Sequence, residues 1–203
     1  MNRKALMGLV LFGSVWALIE CSLGDWLHHY HLSMITASIA IILMVLTRYL
    51  YKQPGMQLGM AAIAALLRQF NPIGGCLMCA SIAILMEGLA FELIWLIPWG
   101  KYQSMTMKVS KGIISFYTIC AAGYISTHIL TPLLMARFYI SDLISTIPRV
   151  LASSTIAGII GAFAMPAVYA IVEYMPTKIE NKLYYGAASA LSLICWLAVV
   201  SGI

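Results

Sequence analysis

Long runs of hydrophobic residues, separated by short polar, glycine- or proline-containing breaks, fill nearly the whole chain. Most of these runs approach the length of one membrane-spanning helix, which needs roughly 20 apolar residues. Breaks such as Lys52-Gln53-Pro54-Gly55 contain residues that end helices. The pattern therefore predicts one all-α domain over residues 1–203, a polytopic transmembrane helix bundle with spans at about 5–24, 33–50, 56–71, 75–98, 111–133, 149–174 and 182–203.

Two stretches leave the number of spans between six and seven. The run at 56–71 is short for a bilayer, so we expect a broken or tilted span there. The stretch 134–148 mixes polar and apolar residues and includes Asp142. We expect it to lie along the membrane surface, between the fifth and sixth spans.

Composition narrows the class of protein further. Hydrophobic residues make up 62% of the chain and charged residues only 9%, whereas a soluble domain carries about 25% charged residues. This excludes a soluble globule, a disordered chain and a coiled coil, and it leaves no room for a nucleotide-binding domain. Basic residues at helix ends explain the net charge of +5, so we expect the lipid bilayer, and no nucleic acid, as a partner.

The distribution of basic residues predicts a cytoplasmic N-terminus. In that orientation nine of the twelve Lys and Arg residues face the cytoplasm, and every lysine is among them. The outer side holds Arg68, Arg137 and Arg149. No small-residue cleavage site follows the first span, which is therefore expected to be a retained helix. The expected location is the inner (cytoplasmic) membrane, with several passes.

A few charged residues interrupt the apolar runs. An ionisable side chain at the bilayer centre costs roughly 3 kcal/mol unless it faces a partner or a wet cavity. One interpretation is a structural salt bridge between an acid and Arg68; another is a polar, outward-facing cavity that binds a small solute; a third is proton coupling. In the solute interpretation the substrate-binding residues are Glu20, Arg68, Asn71, Glu87, Glu92 and His128.

A faint internal repeat accompanies these acids. Glu20 and Asp25 in the first span have the same spacing as Glu87 and Glu92 in the fourth. Copies three spans apart would run in opposite directions, as in the inverted 3+3 repeats of many transporters, whose binding sites lie at the repeat interface. The spacing favours such a repeat as a hypothesis.

A second group of residues could bind a transition metal at the outer mouth. Carboxylate, imidazole and thiolate groups are suitable ligands, and a continuous helix would place residues at i and i+3 on one face. The alternative interpretation is an interfacial belt of histidine and aromatic residues with packed cysteines, and no cofactor. The candidate ligands of a metal transporter or sensor are Asp25, His28, His31, Cys76 and Cys79.

Enzyme motifs are absent from the sequence. It contains no Gly-x-Ser-x-Gly, His-Glu-x-x-His, phosphate-loop or Asp-rich diphosphate motif. We therefore expect no catalytic residue and no enzyme activity. A further hypothesis is a structural subunit of a larger membrane complex, in which Arg68 and the acids form internal salt bridges.

The chain resembles the substrate-binding (S) component of an energy-coupling-factor importer. The likeness covers the whole chain and lies in size, basic character, a compact bundle, a short third span and a small-residue ridge of Gly13, Ala17 and Cys21. The resemblance implies a vitamin, related metabolite or transition-metal ion bound from outside. It also implies a transmembrane coupling subunit that docks on this ridge, together with two ATPases. The family is typically built from six spans, one fewer than predicted here.

Overall fold

The computed structural model describes residues 2–72, 76–97, 104–135, 140–174 and 181–202, without the side chains of Asp25, His28 and Asp142. All regular structure in these ranges is helical, and six of the helical stretches are long and apolar enough to cross a membrane. This confirms the all-α polytopic bundle. The elements are α1 (Arg3–Ile19), a π-helical turn (Glu20–Gly24), α2 (Asp25–His29), α3 (Ser33–Tyr51), α4 (Met56–Gln69), α5 (Leu77–Trp95), α6 (Met105–Leu134), α7 (Ile140–Tyr174) and α8 (Asn181–Ser201).

The predicted third span is shorter than a bilayer. Helix α4 has 14 residues, or about 21 Å at a rise of ~1.5 Å per residue, whereas the hydrocarbon core is about 30 Å thick. Gly55 precedes the helix in a left-handed conformation with φ 79°. Pro72 follows it and disfavours helical backbone at Asn71. The six long spans are therefore the other predicted ones.

The second half of the stretch 134–148, which we expected to be a surface segment separate from the sixth span, is continuous with that span. Helix α7 already begins at Ile140 and continues through Pro148 and Pro166 to Tyr174. Membrane helices tolerate interior proline because neighbouring groups satisfy the freed backbone. At 35 residues the helix is about 52 Å long, so one end must extend past the hydrocarbon core.

Contacts between helix termini show that the six long helices and the shorter α4 alternate in direction along the chain. The hydroxyl of Tyr51 at the end of α3 lies 2.7 Å from that of Tyr184 at the start of α8. Tyr184 donates to the carbonyl of Lys4 at the start of α1. At the same end, Arg48 of α3 and Glu92 of α5 form an ion pair of 3.3 Å. We call this the N-terminal end.

The opposite end, called the distal end, brings together the other termini. Gln69 at the end of α4 donates to the hydroxyl of Ser81 near the start of α5, at 2.6 Å. Thr127 of α6 donates to the carbonyl of Cys79, also near the start of α5. The distal end therefore contains the C-terminal ends of α1, α4 and α6.

The small-residue ridge of α1 packs inside the chain. Ala17 and Cys21 are buried, and a Cβ added at Gly13 would lie 3.0 Å from the carbonyl oxygen of Met60 in α4. Helix α4 therefore occupies this ridge. The docking role that the resemblance implied for Gly13, Ala17 and Cys21 does not fit their position.

A close helix crossing gives the first prediction. Helices α6 and α7 cross at Gly112 and Gly161, and a Cβ on Gly112 would overlap the carbonyl oxygen of Gly161. We expect Gly112→Ala to lower the free energy of unfolding by about 3 kcal/mol, because backbone must move. Thermal unfolding in detergent measures it. Gly186→Ala in α8, where an added Cβ meets open space, is the matched control and should leave the unfolding temperature unchanged.

Candidate functional site

A cavity of about 360 Å³ opens among the helices of the distal end. Sites for small molecules commonly enclose about 300–1,000 Å³. The cavity lies beside the C-terminal end of the short helix α4, where a full-length span would continue. Its walls come from five elements, namely the π-helical turn, α3, α4, α5 and α6, through residues that include Glu20, Ser33, Arg68, Cys79, Glu87 and His128.

The π-helical turn positions Arg68 and Asn71. A π-helical turn interrupts the regular backbone hydrogen bonding of a helix, and such turns are frequent at functional sites. Arg68, only 3% exposed, donates to the carbonyl oxygen of Glu20 at 3.3 Å. Asn71 donates to the carbonyl oxygen of Cys21 at 3.4 Å. Arg68 also lines the cavity. The amide of Asn71 instead holds the end of α4 against the turn.

Glu87 is the acid nearest the middle of α5. It lies eleven residues into the helix and is only 7% exposed. Its Oε2 atom has no hydrogen-bond partner among the residues that the structure describes. The cavity-lining residues Cys79, Ala83 and Glu87 share one face of α5, because they are four residues apart. Glu87 is therefore about 12 Å along the helix from Cys79.

Each cavity acid lies against a glycine. A Cβ at Gly123 would approach Glu87 Oε1 to 2.9 Å, and a Cβ at Gly24 would approach Glu20 Oε2 to the same distance. Both glycines line the cavity. Their missing side chains leave room for the two carboxyl groups in these positions.

His128 lines the same cavity from α6. Its Nδ1 lies 2.8 Å from the carbonyl oxygen of Tyr124, and a carbonyl can only accept, so Nδ1 carries the proton. The Nε2 atom is then the nitrogen left for other partners. His128 also lines a smaller cavity of about 80 Å³ between α6 and α7.

Several lining residues were not singled out by the sequence. Ser33, Thr36, Tyr124 and Thr127 contribute hydroxyl groups, and Ala37, Ala80, Ala83 and Ile84 contribute apolar surface. Uncharged residues of these kinds are common in membrane helices, so only their spacing along α3, α5 and α6 could have indicated a shared face. A search of the sequence for buried charged residues therefore could not identify most of the residues that line the cavity.

The cysteine pair of the predicted metal site is oxidised. Cys76 and Cys79 form a disulfide at the start of α5, with Cα atoms 5.3 Å apart. Sγ of Cys76 also accepts from the backbone N–H of Cys79, which caps the helix. A disulfide has no thiolate to offer a metal. The other three cysteines, Cys21, Cys120 and Cys195, are buried and reduced.

The structure does not contain the continuous helix on which the predicted pairing of His28 with His31 depends. The backbone of α2 ends at His29, and Leu32 N–H donates to the carbonyl of Leu27 around His31, which has a left-handed φ of 59°. The helix therefore does not continue from His28 to His31, as that pairing required. The side chains of Asp25 and His28 lie outside the described residues. Within the described part of the chain, no three His, Cys, Asp or Glu residues form a group suited to a metal ion.

Glu92 lies away from the cavity. At the N-terminal end its Oε2 pairs with Arg48, and its Oε1 accepts from the backbone N–H of Gln57 at 3.1 Å. The carboxylate thus caps the first turn of α4. Nearby, the ammonium of Lys111 lies 4.1 Å from the centre of the Trp95 ring. The structural interpretation therefore fits Glu92 better than a substrate-binding one.

Comparisons with known proteins do not assign the chain to a family. No protein-family model, no curated protein and no solved structure matches the chain. The class that the structure defines is a helical bundle with six candidate membrane spans and, at one end, a cavity lined by both charged and apolar residues.

Proposed function

We propose that this protein is a membrane-embedded subunit that binds a small solute in the distal cavity as part of a transport system. The observation that carries the proposal is the convergence of Glu20, Arg68, Glu87 and His128 on one cavity of about 360 Å³. Charged groups in membrane helices commonly line substrate pathways. If these residues had a purely structural role, we would expect the acids and bases to form close ion pairs, with no cavity between the helices.

The proposal includes an orientation, with the N-terminal end in the cytoplasm and the cavity facing outward. The described lysines, Lys4, Lys52, Lys108, Lys111 and Lys182, all lie at helix termini of the N-terminal end, as the positive-inside rule favours. The disulfide lies at the distal end, and disulfides persist in oxidising compartments. Two independent kinds of residue therefore support the same orientation.

The disulfide provides a test of this orientation. When intact cells are treated with a membrane-impermeant phosphine and then a membrane-impermeant maleimide, we expect two labels per chain, on Cys76 and Cys79. Without the phosphine we expect none, because the other cysteines are buried. Mass spectrometry of the isolated protein counts the labels. Labelling that requires lysed cells would reverse the orientation.

The resemblance to S components extends the proposal to partners. Six helices of the described chain are candidate spans, and the shorter α4 is a seventh helix of the bundle, whereas that family is typically built from six. An importer of that kind would supply a transmembrane coupling subunit and ATPases, since this sequence contains no phosphate-binding loop. Any docking face would have to be other than the Gly13 ridge, which α4 covers.

Solute binding is tested by equilibrium dialysis. The purified protein in mild detergent is dialysed against the low-molecular-weight fraction of a bacterial extract, and both compartments are compared by mass spectrometry. We expect at least one compound to be enriched with the protein in near-stoichiometric amount, and heat-unfolded protein to enrich none. If folded protein enriches nothing, the proposed function is contradicted.

A further inference from the structure

The cavity contains an unsatisfied acceptor that indicates what it binds. Glu87 is more than nine-tenths buried, and its Oε2 has no partner among the described residues. A buried polar group without a hydrogen bond is costly, and a carboxylate within a bilayer more so. A bound molecule that donates to this oxygen would remove that cost.

Arg68 lines the same cavity but does not donate to the unpaired oxygen of Glu87. Its guanidinium donates to the Glu20 carbonyl on the π-helical turn, which helps to fix its position. Glu20 and Glu87 both line the cavity, and these two acids outnumber the one arginine among the lining residues. When both acids are ionised, the lining has an excess of negative charge, next to an oxygen that accepts no hydrogen bond from the described residues.

The remaining wall suits an organic molecule better than a bare ion. Ala37, Ala80, Ala83 and Ile84 give it apolar surface, and Tyr124 contributes an aromatic side chain. An inorganic cation usually needs several oxygen ligands close together. An apolar wall beside a carboxylate instead fits a molecule with a hydrocarbon or aromatic body and one positive group.

We propose that the cavity binds an organic cation, a small molecule whose positively charged nitrogen lies against Glu87 and whose apolar part packs along α5 and α6. The proposal rests on the solute-binding function proposed above. Charge-assisted hydrogen bonds to a buried carboxylate are worth more than neutral ones. Glu87 would therefore determine which charge class of solute is retained.

The test uses the same dialysis with tyramine and tyrosol added to the extract. The two probes have the same phenol ring and differ at the end of the side chain, where tyramine carries an ammonium group and tyrosol a hydroxyl. We expect the compounds retained by the wild-type protein to carry a protonated or quaternary nitrogen, and tyramine to be retained in preference to tyrosol if either probe is held. Retention should fall about tenfold or more in Glu87→Gln. Glu173→Gln, which changes an exposed acid of α7, should retain the same compounds as the wild type.

The outcomes separate the two proposals. Retention of only neutral or anionic compounds would overturn the organic-cation proposal and leave the solute-binding function standing, as would equal retention by Glu87→Gln and wild type. Retention of nothing would overturn the solute-binding function itself. The charge class of what the wild type retains decides the matter even if Glu87→Gln does not fold.

Discussion

Replacing Glu92 by alanine should lower the free energy of unfolding by about 3 kcal/mol. The change leaves the mostly buried Arg48 without its ion-pair partner, since both side chains are only 12–13% exposed. It also removes the acceptor for the backbone N–H of Gln57 in the first turn of α4. Titration with a denaturing detergent in mixed micelles measures the change.

Two control variants separate the causes of that loss. Glu92→Gln keeps an oxygen that can accept from Gln57, so we expect a smaller decrease than for alanine. Glu173→Ala removes an exposed acid and should change stability by no more than about 0.5 kcal/mol. If Glu92→Ala is as stable as Glu173→Ala, the ion pair does not hold α3, α4 and α5 together.

Filling the cavity should abolish solute binding with little loss of stability. Ala83 lies on the cavity face of α5, between Cys79 and Glu87. A phenylalanine there would occupy part of the void of about 360 Å³ and overlap any solute in contact with Glu87. We expect affinity to fall by about a hundredfold or more, which corresponds to a loss of ~2.7 kcal/mol of binding free energy. The dialysis measurement with retained compounds gives the affinity.

The matched control for this variant is Ala190→Phe. Ala190 is exposed on α8, and Ala83 and Ala190 are both in the interior of long helices. We expect Ala190→Phe to bind as the wild type does. Binding that survives Ala83→Phe unchanged would place the solute outside the distal cavity.

Buried charge was an informative guide to part of the site. Glu20, Arg68, Glu87 and His128 were selected from the sequence because ionisable residues in apolar helices need a reason to be there, and the structure places all four around one cavity. The same rule also selected Glu92, which instead pairs with Arg48. Hydropathy alone cannot distinguish a paired acid from one that faces a void, because the partner lies on another helix.

Other features depended on local backbone geometry that composition does not encode. The π-helical turn at Glu20–Gly24 redirects carbonyls toward Arg68 and Asn71, although its sequence is that of an ordinary membrane helix. The spacing of Cys76 and Cys79 is compatible with metal ligands or a disulfide, and the structure contains the disulfide. The break between α4 and α5 includes residues 73–75, which lie outside the described part of the chain.

The inverted repeat stays a prediction. Glu20 and Glu87, the first acids of the two copies, line the same cavity. The helices of the two halves differ in length, however, with 14 residues in α4 against 35 in α7. Spacing of two acids therefore does not establish an internal duplication.

The water accessibility of α5 decides whether the distal cavity is open to the aqueous phase. Ala83→Cys places a thiol in the cavity, and Leu89→Cys places one on an exposed apolar face of the same helix. Without reductant, the native cysteines are either disulfide-bonded or buried. A charged methanethiosulfonate added outside intact cells should modify Ala83→Cys rapidly and leave Leu89→Cys unmodified. If the reagent modifies neither thiol, α5 faces no aqueous pocket at this depth. That result would contradict a solute-binding cavity at the distal end.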